Sequence, residues 1–554
     1  MRRFATLVIG TVGTMGTLVV GPPAAQAQVT FERLLNADAE PQNWLTYSGN
    51  YDGQRHTTLD EITTTNVGDL ELQWVHQANS LQVFETTPLV VDGIMYLTEA
   101  PNTVVALDAK LGRVFWQYTY TPSNAARPCC GSVNRGLAIL GDTLFMATLD
   151  ANLLAIDALT GAPMWMTNVG DPALGYAMTL APLVVKDKVI VGVAGGEFGI
   201  RGFIAAYDAV TGEEAWRFYT IPGPGEPGHE TWGGGDAWEH GGAPVWLTGS
   251  YDPDLNLTYW GVGNPGPDWN PAQRPGDNLY SDSVVALDAD TGELMWYFQF
   301  TPNDDYDYDS VQIPVLVDYP TQNGTAKLML WGNRNGFFYV LDRERGQFIS
   351  GKPFVDVNWA EGLDDSGRPV ETPQPAGSPT YPGPLGGTNW YSPSYSPSTR
   401  LFYVSAWEGE GAIFEPAEVE HQPGQIFLGG RFLPPGMSGA PTLPGLRRGL
   451  VNNWTADAGR GAVKAIDPTT GDVAWTFEMT DVTTSGVLTT ATDVLFTGGR
   501  EGYFHALDAT NGTLLWKATL GGMIANGPIA YAIDGKQYVA VAAGNSLFVF
   551  GLRD

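Results

Sequence analysis

The sequence predicts an all-β protein made of one repeated unit, and three observations lead to this prediction. Gly and Pro supply 69 and 39 of the 554 residues, which implies many turns. Aromatic residues make up 12% of the chain and include 18 tryptophans. A short pattern that ends in Trp recurs along the chain. Frequent turns and large flat side chains are typical of short strands that pack face to face.

The recurring pattern reads as a strand end, a tight turn and the start of another strand. Its Asp can accept backbone hydrogen bonds in the turn, and its Gly can take a positive φ angle. The Trp that follows offers a wide packing surface. Two further apolar runs precede each copy, so each unit holds about four strands. The copies are ALDAKLGRVFW (106–116), AIDALTGAPMW (155–165), AYDAVTGEEAW (206–216), ALDADTGELMW (286–296), the weaker VLDRERG (340–346), AIDPTTGDVAW (465–475) and ALDATNGTLLW (506–516).

Units of four antiparallel strands that recur every ~40 to 80 residues predict an eight-bladed β-propeller. Seven units are complete, and we expect the eighth to be divided between the chain ends. Residues 526–552 supply three of its strands, and 68–77 supply the outer one. This closure leaves no open sheet edge. We therefore predict a single propeller domain over 28–554.

Two segments are too long to be simple connections within a blade. They are residues 218–242 and 408–460, and both are rich in Gly or Pro. Loops of this length often carry function. We expect them to cover one mouth of the propeller.

The N-terminal residues 1–27 are predicted to be a secretory signal peptide. Arg2 and Arg3 precede an apolar run, and Ala25-Gln26-Ala27 provides a cleavage site. No later segment is long and apolar enough to be an integral membrane span. We expect a soluble, exported protein.

The chain is strongly acidic, with a formal net charge of −31. This charge argues against nucleic acid as a partner. The negative charge would steer a basic partner over a long range. The alternative interpretation is that the charge only forms a solvated acidic surface.

Two local features call for a chemical explanation. Cys129 and Cys130 are adjacent and are the only cysteines. In an exported protein they are expected to form a disulfide with each other, and two buried free thiols are the alternative. The row NDDYDYDS (303–310) holds four aspartates. If the row is extended, Asp305, Asp307 and Asp309 point the same way.

Several motifs together resemble the quinoprotein alcohol dehydrogenases, and most closely their lanthanide-dependent methanol and alcohol dehydrogenase branch. They are the repeats ending in Trp, the Cys129–Cys130 pair, GGEFGIRG, GVGNPGPDWNPAQRPGDN and TPNDDYDYDSV. Members of this family are periplasmic eight-bladed propellers that use pyrroloquinoline quinone (PQQ) and a metal ion. The resemblance covers nearly all of the mature chain.

By this resemblance, Glu197, Asn264 and Asp307 match the metal ligands of the family, and all are oxygen donors, as a hard cation requires. Asp307 also matches the catalytic base. Asp309 matches the extra aspartate of the lanthanide branch. Three carboxylates would suit a trivalent ion better than Ca²⁺, which stays the alternative metal.

The resemblance also implies a cofactor site. The disulfide would lie against one face of PQQ and Trp246 against the other, and Trp246 could instead be one more packing Trp. Arg334 and Asn389 would lie beside the quinone oxygens. The groups matched to the carboxylates and polar edge of the cofactor are Glu85, Arg135, Thr179, Ala194, Gly195 and Gly196.

The expected substrate pocket departs from the family pattern. Trp269 matches an aromatic wall, and Asp268 before it looks like an insertion. Where many members of the family have a capping Trp, this chain has Thr484. These differences indicate a pocket wider than one built for methanol.

The resemblance implies oxidation of a small alcohol to an aldehyde, with the electrons passed to a separate cytochrome c. No C-x-x-C-H haem motif is present in the sequence. A dehydrogenase for sugars or polyols and a cofactor-free propeller that binds other proteins are the alternatives. Whether the protein forms a homodimer stays open.

Overall fold

The computed structural model describes residues 29–322, 324–433 and 460–553 and contains eight four-stranded antiparallel blades. This arrangement confirms the predicted eight-bladed propeller. The expected signal peptide lies outside the described residues. No helix of the described chain has the length and apolarity of a membrane span.

Blades are numbered in chain order. The strands are Leu89–Val91, Ile94–Glu99, Thr103–Asp108 and Val114–Thr119 in blade 1; Ala138–Leu140, Thr143–Ala147, Asn152–Asp157 and Pro163–Asn168 in blade 2; Leu183–Val185, Lys188–Gly192, Phe203–Asp208 and Glu214–Tyr219 in blade 3; Ser250–Asp252, Leu257–Gly261, Ser283–Asp288 and Leu294–Gln299 in blade 4; Val315–Thr321, Gly324–Gly332, Phe337–Asp342 and Gln347–Pro353 in blade 5; Ser394–Ser396, Leu401–Glu408, Arg460–Ile466 and Val473–Glu478 in blade 6; Leu488–Thr490, Val494–Gly498, Tyr503–Asp508 and Leu514–Thr519 in blade 7; and Ile529–Ile533, Lys536–Ala543, Ser546–Leu552 and Leu70–Gln77 in blade 8.

Blade 8 closes the ring with strands from both ends of the chain. Leu70–Gln77 pairs antiparallel with Ser546–Leu552 as its outermost strand. The short strand His56–Thr57 also pairs in parallel with Leu488–Thr490 of blade 7. The closure predicted from 68–77 is therefore present.

The tryptophans of the repeat link neighbouring blades. The indole Nε1 of Trp216 in blade 3 donates to the carbonyl oxygen of Ala289 in blade 4 at 3.2 Å. The ring of Trp216 lies so close to Gly292 that a Cβ atom there would be 2.5 Å from it. The same pair of contacts joins Trp74, Trp116, Trp165 and Trp475 to the Ala and Gly of the next repeat. At these five junctions, the outer strand of one blade supplies the Trp and the repeat of the next blade supplies its receptor.

The weaker repeat in blade 5 alters two blade junctions. Trp296 still packs on Gly346, but Arg343 stands where five of the copies have Ala, and the Trp296 indole N–H finds no partner in the described residues. Blade 5 has no Trp on its outer strand. There the stem of Lys352 covers Gly471, and its Nζ contacts Asp472 at 2.7 Å.

Short elements lie outside the blades. The α-helix Phe31–Leu35 begins the described chain, with 3₁₀ turns at Ala37–Ala39, Val67–Asp69, Pro172–Leu174, Gly196–Phe198, His229–Trp232, Ala237–His240 and Pro271–Gln273. Two hairpins, Ala360–Leu363 with Pro369–Glu371 and Ile413–Pro416 with Gly430–Leu433, extend from the connections around blade 6. The first hairpin was not expected from the sequence.

Candidate active site

One end of the propeller carries every site residue that the sequence predicted. The four strands of a blade alternate in direction. Two kinds of loop therefore lie at the same end of the propeller: the loops that enter the first, innermost strand of each blade, and the loops that join its second and third strands. The first group of loops carries Glu85, Cys129, Cys130, Arg135, Thr179, Trp246, Asp307, Asp309, Asn389 and Thr484, and the second carries Ala194, Gly195, Gly196, Glu197, Asn264, Trp269 and Arg334. The Asp–Gly turns of the repeats lie at the opposite end.

The adjacent cysteines form a disulfide, with their Cα atoms 3.8 Å apart. Both residues are exposed, which excludes the alternative of two buried free thiols. The sulfur of Cys130 lies 3.9 Å from Oε1 of Glu197. The structure thus brings the expected cofactor-facing pair beside the first expected metal ligand.

Arg135 is the centre of the expected carboxylate-binding region. Its guanidinium contacts Glu85 at 2.9 Å and donates to the hydroxyl of Thr179 at 2.9 Å. It also lies over two indole rings, 5.0 Å from the centre of Trp246 and 4.6 Å from that of Trp390. Trp390 was not predicted from the sequence, because the family resemblance points to Asn389 and no periodic pattern distinguishes the residue after it.

The backbone at Ala194–Gly196 forms a tight support for Glu197. Ala194 exchanges two backbone hydrogen bonds with Ala177. A Cβ atom on Gly195, whose φ is +118°, would meet the carbonyl oxygen of Gly175 at 2.2 Å. Glu197 follows in the 3₁₀ turn Gly196–Phe198, and burial raises its pKa to about 7.

Arg334 bridges the two aspartates expected to serve as ligands. It lies 3.2 Å from Oδ2 of Asp307 and 2.5 Å from Oδ2 of Asp309. The other oxygen of Asp309 accepts the backbone N–H of Asn264 at 3.0 Å. Burial raises the pKa of Asp307; Arg334 opposes this shift and Asp309 adds to it.

The acidic row is not an extended strand, so that premise was wrong. Asp307 has a φ of +65°, which breaks the alternation of side chains, and no strand is assigned between residues 300 and 314. Asp307 and Asp309 nevertheless meet at Arg334, whereas Asp305 faces the charges of Arg274 and Glu371. Asp304 caps its own turn by accepting the N–H groups of Tyr306 and Tyr308, and it is buried rather than solvated.

The remaining predicted residues are Trp269, Asn389 and Thr484, and their contacts are with parts of the chain other than the expected metal ligands. Trp269 is buried and packs edge-on against Phe432, 5.2 Å between ring centres. Phe432 lies in the long loop between the second and third strands of blade 6. That loop also donates a hydrogen bond from Phe427 N–H to the carbonyl of Glu197. The amide of Asn389 donates to Leu385 O, and the Thr484 hydroxyl donates to Ile524 O. The roles of Asn389 and Thr484 stay predictions.

The residues present suit a hard cation. Glu197, Asn264, Asp307 and Asp309 offer only oxygen atoms, as such an ion requires. Asp268 adds a buried carboxylate oxygen without a hydrogen bond from the described residues. Arg334 is the cation in contact with two of these carboxylates. The cluster therefore carries an excess of negative charge that a bound cation would offset.

The residues also suit a planar polyanion. Trp246 supplies an aromatic face, and Nε of Arg135 is buried without a hydrogen-bond partner among the described residues. A carboxylate of the ligand could accept that N–H in a charge-assisted bond. The donor set thus fits PQQ, which carries carboxylates on a flat ring system.

Comparisons with known proteins agree with this site. The chain matches the family model for the glucose/ethanol/alcohol dehydrogenase β-propeller domain over residues 44–358. A second model, for the outer membrane protein assembly factor BamB, matches residues 459–554. The quinoprotein alcohol dehydrogenase PedH of Pseudomonas putida is 38% identical over 94% of this chain and 89% of its own length. The quinohemoprotein alcohol dehydrogenase of Comamonas testosteroni is 37% identical over 98% of this chain and 79% of its own length.

Two solved structures are also similar. The quinohemoprotein alcohol dehydrogenase ADHIIG from Pseudomonas putida HK5 superposes with a TM-score of 0.89 at 35% identity, covering 96% of this chain and 83% of that one. A europium-containing methanol dehydrogenase superposes with a TM-score of 0.86 at 35% identity, covering 94% of this chain and 100% of that one. The chain therefore belongs to the PQQ-dependent quinoprotein alcohol dehydrogenases.

Proposed function

We propose that this protein is a periplasmic enzyme that oxidises a small alcohol to an aldehyde, with a lanthanide ion beside PQQ and a separate cytochrome c as electron acceptor. The observation that carries this proposal is the meeting of Asp307 and Asp309 under the single guanidinium of Arg334, in the same mouth as Glu197 and Asn264. The family membership supports the alcohol and the quinone.

The chain supplies the means to hold both groups. Arg135, with Thr179 and Glu85 around it, would bind the acidic edge of PQQ, while Trp246 and the disulfide would limit its two faces. Glu197, Asn264, Asp307 and Asp309 would hold the ion. When bound, PQQ provides the hydride acceptor, and the metal ion provides a Lewis acid beside it.

The remaining chemistry belongs to protein groups. Asp307 would take the hydroxyl proton of the alcohol onto a carboxylate oxygen. Arg334 fixes that carboxylate, and its N–H groups can stabilise negative charge that develops nearby. Trp269, which packs against Phe432, would supply an apolar wall that excludes water from the alcohol carbon.

The choice of a lanthanide rests on charge. Asp309 adds a negative group where a neutral one would suit Ca²⁺, and the relative that contains europium shows that this fold accepts such an ion. A trivalent ion offsets the carboxylates around it more fully than a divalent ion of similar size.

The proposals of export and of a separate electron acceptor rest on the sequence. The expected signal peptide at residues 1–27 supports a periplasmic location, and the net charge of −31 would attract a basic cytochrome. The chain has no second pair of cysteines with which to hold a haem of its own.

The test is a dye-linked assay of the purified chain with PQQ and either La³⁺ or Ca²⁺, across C1 to C6 alcohols and polyols. We expect activity with La³⁺ on short alcohols, and loss of the La³⁺ response in Asp309→Ala. Full activity with Ca²⁺ alone, unchanged by Asp309→Ala, would remove the lanthanide from the proposal. Activity confined to polyols or sugars would replace the substrate class, and inactivity under every condition would leave a binding scaffold.

A further inference from the structure

Asp268 is a buried acid in the mouth to which the family resemblance gives no task. It lies in the loop between the second and third strands of blade 4, between Asn264 and Trp269, and is 3% exposed. Its Oδ1 is buried and accepts no hydrogen bond from the described residues. Because a buried carboxylate oxygen is costly unless a donor or cation meets it, this atom indicates a missing partner.

The loop around Asp268 is held from behind. Arg274 is fully buried and donates to the backbone oxygens of Pro267 at 3.2 Å and Asp268 at 3.1 Å, and to Oδ1 of Asn278 at 2.9 Å. These contacts fix the backbone and leave the carboxylate of Asp268 without an ion pair. The side chain is therefore held in place by a rigid support rather than by a salt bridge.

The carboxylate of Asp268 faces the expected metal ligands. Glu197 and Asp309 are the two charges that repel it most strongly, and the side chain of Asn264 hydrogen-bonds it. Asn264 in turn donates its backbone N–H to Asp309. Asp268 thus lies close enough to interact with three of the four residues already expected to bind the ion.

We propose that Asp268 is a fifth protein ligand, and the fourth carboxylate, of the metal ion in this mouth. The inference rests on the metal site of the proposed function and deepens it. A fourth negative oxygen donor raises affinity for a trivalent ion more than for Ca²⁺, since the attraction scales with ion charge. Asp268 would therefore sharpen selection between the two ions.

The test uses Tb³⁺ and Ca²⁺ alone as probes of the full mature chain without added PQQ. Titration of Tb³⁺ luminescence gives the affinity, and the luminescence lifetimes in H₂O and D₂O give the number of water molecules on the ion. In Asp268→Asn we expect Tb³⁺ affinity to fall by roughly tenfold or more and Ca²⁺ affinity to fall less, because the charge is lost while an oxygen remains. In Asp268→Ala, which removes the oxygen as well, we also expect about one additional bound water. Asp305→Asn, an acid of the nearby row that faces Arg274 instead, should leave all three values unchanged.

The variant Asp268→Asn distinguishes two roles of Asp268: direct binding of the ion, and orientation of the Asn264 side chain alone. The Asn side chain still offers an oxygen to the Asn264 amide, so a residue that only orients Asn264 would tolerate it. Wild-type Tb³⁺ affinity in Asp268→Asn would overturn the proposal. If that variant does not fold by circular dichroism, Asp268→Glu gives the second test: it keeps the charge and should retain tight Tb³⁺ binding, whereas weak binding without a change in hydration would count against direct ligation.

Failure of this inference can be told from failure of the proposed function. If the wild-type chain binds no Tb³⁺ at a saturable site, the metal centre itself is wrong. If the wild type binds Tb³⁺ and Asp268→Asn matches it, only the role of Asp268 is wrong.

Discussion

At the end of the propeller that carries the Asp–Gly turns, one contact recurs from blade to blade, whereas the loops at the other end differ in every blade. Trp216 and Trp475, far apart in the chain, dock on an Ala carbonyl and a Gly in the same way. At the mouth, Arg334 pairs with two aspartates and Arg135 lies between two tryptophans. The repeated tryptophan contacts stabilise the ring of blades. This stability can offset the cost of burying charged side chains in the loops at the mouth, which are different in each blade.

This difference predicts that substitutions at the mouth affect turnover, while substitutions at the junctions affect stability.

Asp307→Asn should give the largest effect. It removes the proposed proton acceptor and a charged ligand, so turnover should fall by about 10³-fold or more, equivalent to about 4 kcal/mol in the barrier. Dye-linked turnover and thermal unfolding would be measured together. Asp305→Asn is the matched control and should keep near wild-type turnover. Equal losses in the two variants would mean that the row acts as a charge cluster without a single base.

The contrast also explains what the sequence could predict. Eight blades and closure by residues 68–77 follow from a pattern that repeats, because a Trp meets the same Ala and Gly receptor at five of the blade junctions. The extended geometry of the acidic row was wrong, because a single positive φ at Asp307 is not visible in side-chain periodicity. Trp390 and the support given by Arg274 were missed for the same reason: each is a long-range contact made once.

Trp216→Ala tests the junction end. The side chain is 8% exposed and fills the space between blades 3 and 4, so its loss should cost about 3–5 kcal/mol of unfolding free energy. Turnover per folded molecule should stay close to wild type. Leu81→Ala, at a side chain that is 92% exposed, is the control and should change neither quantity. A large loss of turnover in folded Trp216→Ala would show that the two ends are coupled.

Gly292→Ala tests the receptor side of the same contact. The added Cβ would lie 2.5 Å from the Trp216 ring at a residue with φ +72°, so we expect a loss of about 1–3 kcal/mol. Gly93→Ala also places Ala at a positive φ, +86°, but in open space, and should cost only about 1 kcal/mol of backbone strain. The difference between the two measures the clash alone. Equal losses would mean that the Trp ring moves aside without cost.

Substitutions at the junction between blades 5 and 6, which has no Trp, should have the smallest effect on the free energy of unfolding. Lys352 covers Gly471 with its stem and pairs with Asp472 at a site where both side chains are largely exposed. Lys352→Ala should therefore cost less than about 1 kcal/mol, with the ion-pair part reduced by salt. Lys352→Met keeps the apolar cover and removes only the charge, so its loss should be smaller still and should shrink as the salt concentration rises. Denaturant unfolding at low and high ionic strength separates the two contributions. If Lys352→Ala destabilised the protein as much as Trp216→Ala, tryptophan docking would not be what sets the strength of a blade junction.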